Sequence, residues 1–180
     1  MARAIATKVG EAAPGLELPD TEGTVRTLPA AGEAPATVVI WTCNHCPYAL
    51  AWHDRIVAAA NDYGPRGVRF LAVNSNDAER YPRDSLEAMR ERVREEGWPF
   101  PYLHDSSQEA ARAWGARVTP HVYVLDAGLT VRYEGAPDAD HLDPAQGAGW
   151  LRDALDAVLA GRRPPREATD PVGCSIKWRR

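Results

Sequence analysis

The stretch Thr37-Val38-Val39-Ile40-Trp41-Thr42-Cys43-Asn44-His45-Cys46-Pro47 decides the fold. Its first half is a run rich in β-branched residues, which reads as a buried strand. Pro47, just past the second cysteine, is what the first turn of a helix tolerates. The two thiols therefore lie on a strand-to-helix turn. A helix N-terminus has unpaired backbone N–H groups and the positive end of the helix dipole, both of which favour a thiolate over a thiol. A C-x-x-C pair placed there is a reactive dithiol.

Working outward, Leu50, Ile56, Val57 and Ala60 fit one face of a helix from about Pro47 to Asp62, ended by Gly64-Pro65. Val68 to Asn74 is a second strand with few polar residues, as a parallel strand covered on both faces should be. A strand-helix-strand unit of this size is a right-handed crossover, so the fold class is α/β. Asp84 followed by Glu87 looks like a capping box, and Leu86, Met89 and Val93 then mark a helix ending near Gly97. Ser106 with Glu109 opens a shorter helix through Trp114, stopped at Gly115. Val118 to Leu125, the turn Asp126-Ala127-Gly128 and Leu129 to Tyr133 read as a β-hairpin, and Asp143-Pro144 begins a last helix stopped by Gly161. Upstream, Leu16-Glu17-Leu18 and Val25 to Leu28 flank Asp20 to Gly23 as an N-terminal hairpin. The tail 162–180, with Pro164-Pro165 and five arginines, shows no period and is expected over the surface or partly mobile.

At 180 residues, 44% hydrophobic and 26% charged, the chain suits one domain with a real core. A net charge of −4 argues against nucleic acid or an anionic membrane as partner. Apolar runs reach about five residues, against roughly 20 for a bilayer span, and the start Met1 to Lys8 lacks an apolar signal region. The expected location is cytoplasmic. Three cysteines, Cys43, Cys46 and Cys174, are too few and too uneven for a secreted disulfide framework, which turns attention from stability to chemistry.

Strand, C-x-x-C, helix, strand, helix, then Thr119-Pro120 opening a hairpin and a closing helix: in this order the chain resembles the thioredoxin superfamily over roughly residues 10–161. The expected division is a thioredoxin-like domain at 1–161 and a C-terminal tail at 162–180. The N-terminal hairpin and the helix near 84–96 are similar to the peroxiredoxin and thiol peroxidase (AhpC/TSA) branch. Cys-Asn-His-Cys-Pro-Tyr at 43–48, with Gly173-Cys174-Ser175-Ile176-Lys177-Trp178 in the tail, resembles the peroxiredoxin-like group that carries a C-x-x-C. The resemblance implies a central mixed sheet of roughly four strands with helices on both faces, acting as a thiol-disulfide oxidoreductase without a cofactor. Its partners would be a disulfide-bearing protein or small thiol, and a reductant such as a thioredoxin or glutathione system. Cys43 would be the attacking thiol and Cys46 the resolving one. That fits the general expectation that the first cysteine of such a turn has the more exposed sulfur. The resemblance also makes Pro120 a cis proline facing the dithiol. Thr119 is then the substrate-contacting residue, with backbone that pairs with an incoming peptide strand. His121 is close by, and reads equally as a half-exposed strand residue.

His45 lies between the thiols, either stabilising the Cys43 thiolate and making the pair more oxidising, or standing as an exposed turn histidine. Thioredoxins place a buried acid six positions before the first cysteine; here that residue is Thr37, so no internal carboxylate base is evident. Peroxiredoxins carry Pro and Thr or Ser at seven and three positions before the peroxidatic cysteine. The residues here are Ala36 and Ile40 counted from Cys43, or Val39 and Cys43 counted from Cys46, so at most a weak thiol peroxidase is the alternative enzyme. Cys174 is open to three readings: a third thiol exchanging with the dithiol, a resolving partner for oxidised Cys46, or a structural residue whose neighbours Ile176 and Trp178 pin the tail. Cys43, Cys46, Cys174 and His45 or His121 could supply zinc ligands, but no second tight pair exists, so no metal is assigned. A module that holds metal or a partner without turnover is the remaining alternative. Trp98 and Trp114 read as core, and Arg90-Glu91-Arg92 as a solvated helix face.

Overall fold

The computed structural model describes residues 7–180; most of the stretch read above for a leader lies outside the described residues. The N-terminal hairpin forms from β1 (Glu17–Pro19) and β2 (Val25–Thr27), with Leu18 opposite Arg26. Asp20 closes it by accepting from the Glu22 and Thr24 amides and from Arg26 Nε. The β-branched run becomes β3 (Ala36–Trp41), buried at every position. Because strand side chains alternate, Val38 and Ile40 enter one core and Val39 and Trp41 the other. α1 (Pro47–Tyr63) leads to β4 (Arg69–Asn74), which pairs parallel to β3 with Val39 opposite Leu71.

α2 (Leu86–Glu96) starts one residue later than the capping-box reading places it. The N-cap is Ser85, whose hydroxyl accepts the Ala88 amide at 3.2 Å, and Asp84 turns inward. Next comes β5 (Tyr102–His104), parallel to β4, which the sequence reading lacks. It makes the sheet five-stranded, not roughly four. Three residues between Pro101 and Asp105 are too short to show a period. α3 (Glu109–Trp114) has Gln108, not Ser106, as its N-cap residue, and the upstream Asp105 carboxylate accepts the Ala111 amide of its first turn at 3.0 Å.

The strand expected from 118 is cut at Pro120. β6 (Val118–Thr119) leaves the sheet, and β7 (His121–Asp126) enters it antiparallel to β3 and to β8 (Val131–Gly135). The final sheet order is β5-β4-β3-β7-β8. The last helix starts later than Asp143-Pro144: those residues cap and open a single 3₁₀ turn, Gly147 breaks it at φ 60°, and α4 spans Gly149–Leu159. Trp52 and Ile56 of α1 and Leu151 and Leu155 of α4 cover one face of the sheet. Trp114, Ala111 and Leu16 cover the other, where Trp41, Trp114 and Tyr123 form a tilted and edge-on aromatic group. The tail is not featureless: β9 (Cys174–Ser175) pairs antiparallel with β6, and Ile176 is buried in the second core. No helix among the described residues is long and apolar enough to cross a membrane.

Burial holds His53, His104 and His121 below the ordinary histidine range, even though Glu96 beside His53 and Glu134 beside His121 act in the opposite sense. Each is therefore favoured neutral when folded, so the unfolded chain takes up protons first. Their stability contribution is complete above the unfolded value of about 6.5 and is lost as pH falls through the lower folded values. Urea midpoints measured from pH 7.5 to 5 should fall as pH falls, and His121→Gln should flatten that slope.

Candidate active site

β3 ends at Trp41, and the Thr42 amide still donates to the Val73 carbonyl at 2.9 Å, so the strand holds the turn to its last residue. Cys46 is the extended residue before α1, at φ −73° and ψ 123°, with Pro47 opening the helix. Across from the thiols lies the cis Thr119-Pro120 bond. Thr119 touches both: its hydroxyl lies 3.3 Å from Cys43 Sγ, and its carbonyl accepts the Cys46 thiol at 3.2 Å. The sequence expectation that Cys43 has the more exposed sulfur does not hold. Cys43 is 1% exposed and Cys46 0%, because Thr119 and the C-terminal tail close over the turn.

The two thiols interact and titrate as a pair. One thiol donating to the other's thiolate makes the first proton easy to lose and the second hard to lose. With the charge on Cys46, the Cys43 thiol is the largest stabilising influence, opposed by burial and helped by Cys174 and the Ala49 amide, and Cys46 is drawn down to about 4. Cys43 is correspondingly pushed up by its bond to Cys46, by burial and by the Asp84 charge. The Thr119 side chain favours the ionised form of either sulfur, so it eases loss of the pair's first proton.

Around the turn lies a buried polar network that sequence reasoning missed. Asp84 is fully buried and accepts from the Asn44 amide at 2.7 Å, Asn74 Nδ2 at 3.1 Å and Asn76 Nδ2 at 3.0 Å. His45 Nδ1 sits 2.5 Å from the same carboxylate, misaligned for a hydrogen bond, with its ring stacked on Tyr81. His45 is thus neither an exposed turn residue nor turned on Cys43 alone. Arg92 is 9% exposed, donates to the Cys43 carbonyl at 2.9 Å and lies over Trp98, which corrects the solvated-face reading. Tyr102 donates to Asn44 Oδ1 at 2.8 Å. One signal for Arg92 was available: it lies three residues after Met89 and next to Val93, on the helix's apolar stripe. For Asp84 there was none, because Asp84 and Ser85 are equally good caps by type.

His121 is not at the dithiol surface. It is 1% exposed, its Nε2 lies 2.7 Å from Glu134, its Nδ1 accepts the Arg117 amide, and it stacks on Tyr123. Both ring nitrogens are engaged within the fold, so the half-exposed reading and the substrate-binding one both fail. Cys174, by contrast, packs against Cys43, Cys46 and Ala49. The Thr119 edge, which the resemblance gives to an incoming peptide, is occupied by the chain's own Cys174, its partner in register.

The ligand atoms of Cys43, His45 and Asp84 lie within 4.8 Å of one another. Both Asp84 oxygens already accept buried hydrogen bonds, so this donor set does not fit a metal without breaking the network.

A dithiol at the start of the first core helix, faced by a cis proline on a mixed sheet with helices on both sides, defines a thioredoxin-superfamily protein of the peroxiredoxin-like group. Residues 9–134 match the AhpC/TSA family, and the chain belongs to it. It is similar to the crystal structure of an uncharacterized conserved protein from Geobacillus kaustophilus, at 42% identity over 97% of this chain and 94% of that one, with a TM-score of 0.89. A hypothetical protein from Sinorhizobium meliloti 1021 is 34% identical over 97% of this chain and 96% of that one, also with a TM-score of 0.89. Peroxidoxin BcpB from Mycobacterium tuberculosis shares the fold, at 17% identity, 89% and 99% coverage and a TM-score of 0.63. No curated protein matches the chain. Family, fold and the two turn cysteines together give a thioredoxin-like redox function.

Proposed function

We propose that the chain is a thiol-disulfide oxidoreductase working through Cys43 and Cys46. The observation that carries this reading is the mutual contact of the two thiols at the start of α1 under Thr119, an arrangement that eases loss of one proton and retains the other. The Cys46 thiolate takes the Cys43 proton across their contact, the Cys43 sulfur so ionised attacks a client disulfide, one client sulfur leaves as thiolate and takes that proton from Cys46, and a mixed disulfide forms at Cys43. Cys46 thiolate then attacks the Cys43 sulfur, releasing the second client thiol and leaving a Cys43–Cys46 disulfide. Run backward, the same steps oxidise a dithiol client. A thioredoxin or glutathione system would reset the pair, which suits a reducing compartment such as the cytoplasm.

Reduction of a disulfide peptide with dithiothreitol as the electron source should show turnover that is lost in Cys43→Ser. Turnover unchanged in that variant would rule the mechanism out. A weak thiol peroxidase is the second reading, favoured by the AhpC/TSA match. Against it, the residues seven and three positions before Cys43, Ala36 and Ile40, are buried strand residues without a hydroxyl. Peroxide consumption far slower than disulfide turnover is the expected result.

His45 is proposed to act through charge. Its ring nitrogen stands against Asp84, whose carboxylate opposes ionisation of Cys43, and offsets part of that charge. His45→Ala should destabilise the reduced, thiolate form and lower the reduction potential by on the order of 30 mV, equivalent to about 1.4 kcal/mol. An unchanged potential in a glutathione titration would remove His45 from the mechanism.

A further inference from the structure

Three observations place the tail at the dithiol. Thr119, which contacts both active-site sulfurs, is paired in register with Cys174. Cys174 packs against the cluster of Cys43, Cys46 and Ala49, and its side chain interacts with that of Cys46. Gly173 crosses Thr119 so closely that an added Cβ would lie 2.0 Å from the Thr119 carbonyl oxygen and 2.6 Å from its carbon, both backbone atoms that cannot swing aside. The segment is anchored beyond this point. The Ile176 amide donates to the Arg117 carbonyl at 3.1 Å, and the Lys177 carbonyl accepts from the Asp77 amide at 2.8 Å and Gln108 Nε2 at 2.9 Å. If only pinning were needed, Ile176 and these backbone bonds would supply it. They do not require a thiol at 174.

We propose that Cys174 is a third redox-active thiol that takes over the disulfide from the Cys43–Cys46 pair, giving a Cys46–Cys174 bond held by the β6–β9 strand pairing. This rests on the oxidoreductase reading, which supplies the starting disulfide. Cys174 loses its proton and attacks the Cys46 sulfur. The Cys46–Cys174 bond forms as the Cys43–Cys46 bond breaks, and Cys43 leaves as a thiolate that takes up the proton. One disulfide is exchanged for another, so no outside oxidant or reductant is consumed. The result is an oxidised protein with Cys43 returned to the thiol state beside Asp84 and His45.

Oxidation of the pair removes one obstacle to the step. Burial and the neighbouring Cys46 sulfur raise the Cys174 thiol to about 11 while the pair is reduced. Once Cys46 is bound in a disulfide its charge is gone, and that part of the penalty disappears.

The test uses full-length Cys43→Ser, equilibrated in glutathione redox buffers, alkylated, and read by peptide mass spectrometry, with Cys174→Ser treated in parallel. The expected result is a reversible Cys46–Cys174 peptide in the first variant and a reversible Cys43–Cys46 peptide in the second. If Cys46 and Cys174 stay free or only glutathionylated while Cys174→Ser still forms its pair, the proposal is overturned and the dithiol reading stands. If neither variant forms a pair, both fall. Adding Gly173→Val to Cys43→Ser should unseat the tail and abolish the cross-link while the circular dichroism spectrum is kept. A cross-link that persists in that folded double variant would overturn the role of the strand pairing.

Discussion

Cys46→Ser is expected to end disulfide turnover and leave Cys43 caught in a stable mixed disulfide with its client. The reason is geometric. Cys46 sits at the start of α1, in contact with Cys43 and under the same Thr119, so release of the client is an intramolecular reaction. When the resolving thiol must instead come from solution at millimolar concentration, the release step should slow on the order of 1000-fold or more. Trapping on a disulfide peptide, followed by non-reducing electrophoresis, should show a mixed disulfide at Cys43 in this variant and little of it in the wild type. Rapid turnover by Cys46→Ser would mean that the second thiol is not the resolving group.

The largest expected effect on stability lies away from the thiols. Asp138, 2% exposed, accepts from Trp52 Nε1 at 2.7 Å, from Arg55 Nη1 at both oxygens and from the Ala148 amide at 2.8 Å. It thereby ties α1 to the start of α4, where Ala148 holds φ 57°. Asp138→Ala leaves the Arg55 guanidinium, 7% exposed, with only the Asp140 and His141 carbonyls. Stranding one charge of a buried pair costs about 3–5 kcal/mol, a large share of the roughly 5–15 kcal/mol that holds a domain folded. Urea unfolding should show the midpoint falling accordingly at unchanged slope, with a smaller loss in Asp138→Asn, which keeps an acceptor. A loss below about 1 kcal/mol in Asp138→Ala would show that water or the neighbouring carbonyls replace the carboxylate.

What the sequence shows clearly is what repeats or punctuates. The run ending at Trp41, Pro47 after the second thiol and the glycines closing α1 and α2 are local signals, and the elements fall close to where they predict. β5 and β9 are the opposite case. Two or three residues carry no period, and β9 exists only because Val118 and Thr119 offer it an edge. The same logic separates the site residues. Cys43, Cys46, Thr119 and Pro120 are legible because motif and order place them. Asp84, Asn74 and Asn76 come together only because the single connection from β4 to α2 folds back on the end of its own strand, and nothing in their spacing shows that. His121 misleads for a related reason: adjacency to Pro120 in sequence says nothing about side, and the side chain turns to Glu134. The missing acid at Thr37 is also explained in part. A buried carboxylate does stand near the dithiol, but it comes from the loop before α2.

The central claim is that Cys43 and Cys46 form one reversible redox couple. A glutathione or dithiothreitol titration of Cys174→Ser, with thiols alkylated at each potential and both peptides quantified by mass spectrometry, tests it without interference from the third thiol. The account predicts a single two-electron transition in which Cys43 and Cys46 lose their free thiols together and regain them on reduction. Thiols that stay free at every potential, or that oxidise separately and irreversibly, would contradict it.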